Sequence, residues 1–197
     1  KSFELGAKWD VFDGRLALTA AIFRTDEANA RMTIDGGTTA NAGDERVDGV
    51  EIGASGNITE RWKIFAGYTW LDAVLVDAGK VLVNGVFVDS PNNGNQFANT
   101  PRNSASIYTT YQVLRNLSVG VGAYAMDRVY GNVSNTKFVP GYVRYDAMAA
   151  YRINDHFGLQ LNVQNLGDKT YFDKAYASHY ASVAPGRSAT LTATINF

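Results

Sequence analysis

The sequence contains no cysteine, which rules out a disulfide framework and any thiolate metal site. Histidine is almost as scarce, with two residues in 197, and proline stops at four. No apolar run approaches the roughly 18 residues that a membrane helix needs. Lysine and arginine (18) nearly balance aspartate and glutamate (19), leaving a net charge of −1. There is no bulk electrostatic signal for nucleic acid.

What the chain has is alternation. In its last segment, PGRSATLTATINF, Ala189, Leu191, Ala193, Ile195 and Phe197 fall on one face and Ser188, Thr190, Thr192, Thr194 and Asn196 on the other. Successive side chains of a strand point to opposite sides. The same period of two predicts about nine strands. They cover about residues 2–12, 15–25, 46–57, 61–72, 102–113, 117–126, 141–152 and 157–164, and the final segment. Tight turns, of which Asp13-Gly14 carries the hairpin signature, alternate with long polar connections at 26–45, 73–101 and 127–140 and after Gln164. No helical pattern interrupts the series. Strands of about ten residues, with short turns at one end and long loops at the other, are the signature of an outer-membrane barrel.

A soluble sandwich or small barrel would also alternate, but with its apolar face inward and strands of about 5–6 residues. Here the apolar faces run the full strand length, and the polar faces carry Glu51, Arg144, Asp146, Gln160, Asn162 and Gln164, a set suited to a hydrated lumen. Aromatics, which make up 12% of the chain, gather near strand ends: Trp9, Trp62, Tyr111, Tyr151, Phe157 and Phe197 toward the short turns, and Tyr68, Trp70 and Tyr145 toward the long loops. Such girdles mark the two lipid–water interfaces. The fold class expected is all-β, a transmembrane antiparallel β-barrel. Phe197, on the lipid side of its strand, resembles the signal by which outer-membrane proteins are recognised for assembly.

An odd strand count does not suit a closed single-chain barrel, and an open edge in lipid leaves unpaired backbone groups. The chain also opens directly on strand sequence. The expectation is that it forms the C-terminal part of a larger barrel.

The residues then carry a specific resemblance. FVPGYVRYDAMAAYRINDHFGLQLNVQNLGDKTYF, followed by HYASVAPGRSATLTATINF, resembles the C-terminus of TonB-dependent siderophore receptors, and NTPRNSASIYTTYQ and RVDGVEIGASGNITERWKIFAGYTW fit the same family. The nearest subgroup is that of catecholate-type ferric siderophore receptors. The resemblance implies about nine C-terminal strands of a 22-stranded barrel filled by an N-terminal plug. It implies uptake of a ferric siderophore, powered through TonB, by a protein of the bacterial outer membrane. The plug and the TonB box would lie upstream. Implied partners are the ferric siderophore, outer-membrane lipid, the barrel assembly machinery and TonB.

A ferric catecholate is anionic and aromatic, so arginine would meet its charge and tyrosine or phenylalanine its rings. Candidates toward the long-loop side are Arg102, Tyr124, Arg128, Tyr130, Tyr171, Phe172, Tyr176 and Tyr180. His156 and His179 lie apart, in a turn and a loop, and are expected to be solvated. No ligand cluster suggests a protein-held cofactor or metal. Asp44, Asp48 and the Asn92–Asn95 run lack calcium-loop spacing. No Ser–His–Asp arrangement is evident, so the sequence points away from an enzyme. The rival reading is a small self-contained outer-membrane barrel acting as anchor or adhesin. Against it, Gly49, Gly53, Gly67, Gly120, Gly122 and Gly158 on the lumen face would fill a narrow barrel poorly.

Overall fold

The computed structural model describes the backbone of residues 1–33, 39–176 and 180–197, and the side chains of 1–31, 43–175 and 180–197. Every element there is a strand: β1 (Ser2–Val11), β2 (Leu16–Thr33), β3 (Thr39–Thr59), β4 (Trp62–Asp77), β5 (Lys80–Val83), β6 (Val86–Asp89), β7 (Asn103–Leu114), β8 (Leu117–Met126), β9 (Val129–Tyr130), β10 (Phe138–Val139), β11 (Tyr142–Arg152), β12 (Phe157–Gln164), β13 (Phe172–Tyr176), β14 (Tyr180–Val183) and β15 (Ser188–Ile195). Nine form one antiparallel sheet in the order β1-β2-β3-β4-β7-β8-β11-β12-β15. The other six make three small hairpins, β5-β6, β9-β10 and β13-β14, inside the long connections.

The register carries one face across the whole sheet. Leu5 stands opposite Ile22, Ile22 opposite Val50 and Val50 opposite Trp70. Ala66 then meets Ile107, Ile107 meets Ala123, Ala123 meets Tyr145, and Ala147 meets Val163. Directly opposed residues share a face, so these side chains form one continuous apolar surface. It is not folded inward: Leu5 is 72% exposed, Val121 58% and Leu191 66%. This is the face that meets lipid. Two of its aromatics satisfy their polar atoms along the wall. The Trp62 indole donates to Thr109 Oγ1 at 2.6 Å near the short turns, and the Tyr68 hydroxyl donates to Asn103 at 2.6 Å near the long loops.

The strands at the long-loop end depart from the expected bounds. The stretch 26–45, read as a polar connection, is largely ladder: β2 continues to Thr33 and β3 begins at Thr39, with irregularities at Ala28–Ala30 and Ala30–Arg31. Beyond the lipid both faces of a hairpin meet water, so hydrophobic alternation stops while backbone pairing continues. β4 likewise runs on to Asp77, and residues 94–97 pair beside it through Leu75, Gly94 and Phe97.

The buried side chains gather among these loops. Ala30, Leu75 and Ala78 form one small cluster with Phe97, and Val129, Val139 and Ala175 form another with Met126, Phe172 and Ala181. The lumen face has its own filling at four of its glycines, Gly49, Gly53, Gly120 and Gly122, while Gly67 and Gly158 have room above them. Tyr108 lies across Gly120 and Gly122, where an added Cβ would sit 2.9 Å from its hydroxyl and 2.9 Å from its ring edge. Phe23 covers Gly49 in the same way, so that any Cβ there would overlap the ring. Absence of a side chain lets a cross-strand neighbour lie flat on the wall.

Candidate ligand-binding site

Arg144 occupies the lumen face at the long-loop end of β11, opposite Tyr124 of β8. Its guanidinium carbon lies 4.5 Å from the Tyr124 ring centroid, within the range of a cation–π contact. One terminal nitrogen donates to the Tyr171 hydroxyl at 3.3 Å and the other to Asp146 Oδ2 at 2.9 Å. The Tyr171 ring in turn lies 4.2 Å from that of Tyr142. The Arg144 Nε is buried and has no partner among the described residues.

This group is braced from behind. Asp146 Oδ1 accepts the backbone N–H of Asn165 at 2.9 Å. The buried Asn165 side chain accepts from the Lys169 N–H at 2.9 Å and donates to the Lys169 and Pro185 carbonyls at 2.9 and 3.3 Å. The arginine is thus held by a carboxylate that is itself pinned to the start of the last loop. A fixed guanidinium over the Tyr124 ring and bonded to the Tyr171 hydroxyl, with Tyr142 packed on Tyr171, brings positive charge and aromatic surface together, which matches an anionic aromatic ligand.

Of the residues singled out in the sequence, Tyr124 and Tyr171 belong to this cluster. Arg144 and Tyr142 join it although they stood outside the candidate set. Strand parity places Arg144 beside Tyr124, and that was the signal available for finding it. Arg128 and Tyr130 form a second group on the β9-β10 hairpin. The Arg128 guanidinium lies 5.5 Å from the Tyr130 ring and 5.4 Å from the Phe138 ring. With Arg102, Gln96, Asp127 and Asn135 they line a cavity of about 500 Å³. Arg102 itself is engaged with Asp72 at 3.1 Å. Phe172 sits in the small core with Val129 and Val139. Tyr180 is exposed on β14. The Tyr176 side chain and His179 lie outside the described residues. Phe197 stands fully exposed.

His156 receives a specific contact, its Nδ1 lying 3.0 Å from the Asn196 carbonyl. The Asn92–Asn95 run holds a turn: Asn93 accepts the Ala78 N–H at 2.8 Å, and the Asn95 N–H donates to the Asn92 carbonyl at 3.0 Å. No group of three His, Cys, Asp or Glu side chains fit for a metal occurs among the described residues.

Residues 1–166 match the family described as TonB dependent receptor-like, beta-barrel. The chain belongs to this family. Along its whole length it is 55% identical to the probable TonB-dependent siderophore receptor PiuA of Acinetobacter baumannii, and 98% of it is 36% identical to the catecholate siderophore receptor Fiu of Escherichia coli. It spans about a quarter of those relatives, 26% and 25% of their lengths. The crystal structure of PiuA overlays on 98% of the chain with a TM-score of 0.89, using 27% of that protein; the closed form of Fiu overlays on all of it at 0.83 and 34% identity, again using 27%. Neither relative is described as an enzyme. The nine-stranded sheet is therefore the wall of a TonB-dependent receptor barrel, an outer-membrane structure, and the alternation that defines its lipid face is that of the family. Among the described residues β1 and β15 do not pair with each other, so this wall is open.

Proposed function

We propose that this chain is the C-terminal barrel portion of an outer-membrane receptor that takes up ferric siderophores, catecholates among them, with energy delivered through TonB. The observation that carries the reading is the lumen cluster of Arg144 with Tyr124, Tyr142 and Tyr171, set in a wall whose 55% and 36% identical relatives are named siderophore receptors. The cluster supplies cation and rings for the ligand, and Arg128 with Tyr130 supplies a second such surface nearer the loops. A plug and a TonB-contacting segment would come from the remainder of the protein. The alternation of the last strand up to Phe197 supports a role for that residue in recognition by the barrel assembly machinery.

The test is uptake of radiolabelled ferric catecholates by iron-starved cells lacking the complete gene. Loss of uptake, restored by the wild-type gene, is the expected outcome. Undiminished uptake of the catecholates and of other ferric siderophores in the deletion strain would discard the reading.

A further inference from the structure

Two stretches of the sequence, NLGDKTY at 165–171 and PGR at 185–187, close on each other at the base of the last long connection. Asp168 Oδ1 accepts the Arg187 N–H at 2.8 Å, the Ala184 N–H donates to the Tyr171 carbonyl at 2.9 Å, and Asn165 reaches the Pro185 carbonyl at 3.3 Å. A Cβ at Gly186 would stand 3.2 Å from the same Asp168 oxygen. Asn165 and Asp168 both have left-handed backbone, with φ of 52° and 49°, a conformation that Asn and Asp visit more readily than other residues bearing a side chain. Together the two stretches form a buckle that joins both ends of the connection carrying β13 and β14.

The buckle grips β11 within the ligand cluster. The Leu166 N–H donates to the Tyr145 carbonyl at 2.7 Å, and Arg144 and Asp146 stand on either side of that residue. The Asn165 N–H donates to Asp146 Oδ1 and Arg144 donates to Asp146 Oδ2, each at 2.9 Å. At its far end the buckle places the Tyr171 hydroxyl, which accepts from Arg144 at 3.3 Å. Both side-chain hydrogen bonds of the guanidinium among the described residues therefore go to groups that the buckle holds. Its centre is Asn165, whose side chain bonds to Lys169 and Pro185. Asn165 is only 2% exposed, out of reach of a ligand in the lumen.

We propose that Asn165 is a positioning residue of the receptor: by fixing Asp146 and Tyr171 it sets the orientation in which the Arg144 guanidinium meets the ligand, without touching the ligand itself. The inference rests on the reading that Arg144 contacts the ferric siderophore. A guanidinium that is already held gives up little freedom when the ligand arrives. Released from the buckle, the same cation must be ordered by the ligand, so affinity falls although the charge remains.

The experiment is a double-mutant cycle on the complete receptor in detergent, read by fluorescence quenching with the ferric complex of dihydroxybenzoate. Asn165→Gly keeps the left-handed backbone, which glycine adopts without steric cost, and removes the clasp; heat-modifiable gel mobility verifies folding. It is expected to weaken binding by about fivefold or more, the scale of ordering one long side chain. In Arg144→Ala the same change should have no further effect, because a residue that acts through another has nothing left to act on. Full affinity in Asn165→Gly, or losses that simply multiply in the double variant, would overturn the inference and leave the buckle as loop packing. Full affinity in Arg144→Ala, or no binding by the wild type, would instead overturn the reading beneath it, and the inference with it. Should Asn165→Gly not fold, Asp168→Gly on the exposed side of the buckle carries the same cycle, with a smaller loss expected and full affinity or multiplying losses counting against it.

Discussion

Asn99 and Ala175, 76 residues apart, hold each other through two hydrogen bonds: the Asn99 amide nitrogen donates to the Ala175 carbonyl at 2.8 Å, and its oxygen accepts the Ala175 N–H at 2.9 Å. A similar reciprocal pair joins Gln96 and Asn135, with N···O distances of 2.7 and 2.8 Å, and Asn95 reaches the Val133 carbonyl at 2.9 Å. Three connections that are separate in sequence thus form one interlocked layer over the barrel wall. Asn99→Ala leaves both polar groups of the buried Ala175 backbone without these partners, at about 1–3 kcal/mol for each. Hydrogen exchange should accelerate together in residues 94–99, 129–139 and 172–175, while β7 stays protected. Faster exchange confined to residues 94–99 would mean that the loops open independently.

The lumen cluster predicts a graded affinity series. In the complete receptor Arg144→Ala removes the cation between Tyr124 and Tyr171 and is expected to weaken ferric-catecholate binding by about tenfold or more, the equivalent of about 1.4 kcal/mol. Arg144→Lys keeps the charge and loses the planar fork, so it should fall between. Fluorescence-quenching titration reads both, and wild-type affinity in the alanine variant would remove Arg144 from the site.

The flat packing on the lumen face distinguishes two glycines. Gly49→Ala drives a methyl group into the Phe23 ring, whereas a Cβ at Gly67 finds only Ser106 Oγ at 3.8 Å. Overpacking of the first kind costs about 1–3 kcal/mol. The unfolding midpoint in detergent and denaturant should drop for Gly49→Ala and hold for Gly67→Ala.

The upper part of the β2–β3 hairpin predicts a pH dependence. Burial, and then the negative charge of Glu27 directly across the ladder, raises the Glu45 carboxyl above its ordinary pKa. The folded hairpin therefore takes up a proton more readily than the unfolded chain does. The protonated form is favoured below the ordinary glutamate value, and this stabilisation is lost as pH rises through the raised one. Protection of the neighbouring amides, corrected for intrinsic exchange, should increase on mild acidification and become insensitive to it in Glu45→Gln. A wild-type response in that variant would place the origin elsewhere.

Most of the wall was legible in the sequence because lipid and lumen impose opposite demands on successive residues. Leu16, Leu18, Ala20 and Ile22 declare their face without help from any other strand. The hairpin above Arg24 was not legible, since Glu27 and Glu45 sit where both faces meet water and polarity no longer reports direction. The site was half legible. Aromatic character near the long loops pointed to Tyr124 and Tyr171, while Arg144, in the strand beside Tyr124, is brought to them only by register. The clasps of Asn99 and Asn165 left no local trace, because an asparagine that bridges distant loops looks in sequence like any turn residue.

The length of β3, 21 residues, has a consequence for what reaches the cell first. From the row of Arg24 to Thr33 the paired chain extends about 30 Å at about 3.4 Å per residue. That is a mast standing clear of the lipid surface, stiffened by its ladder and, as far as Asp77, by continued pairing with β4. Such a hairpin offers rigid, hydrogen-bonded surface to anything too large to enter the lumen, such as an antibody or a phage tail.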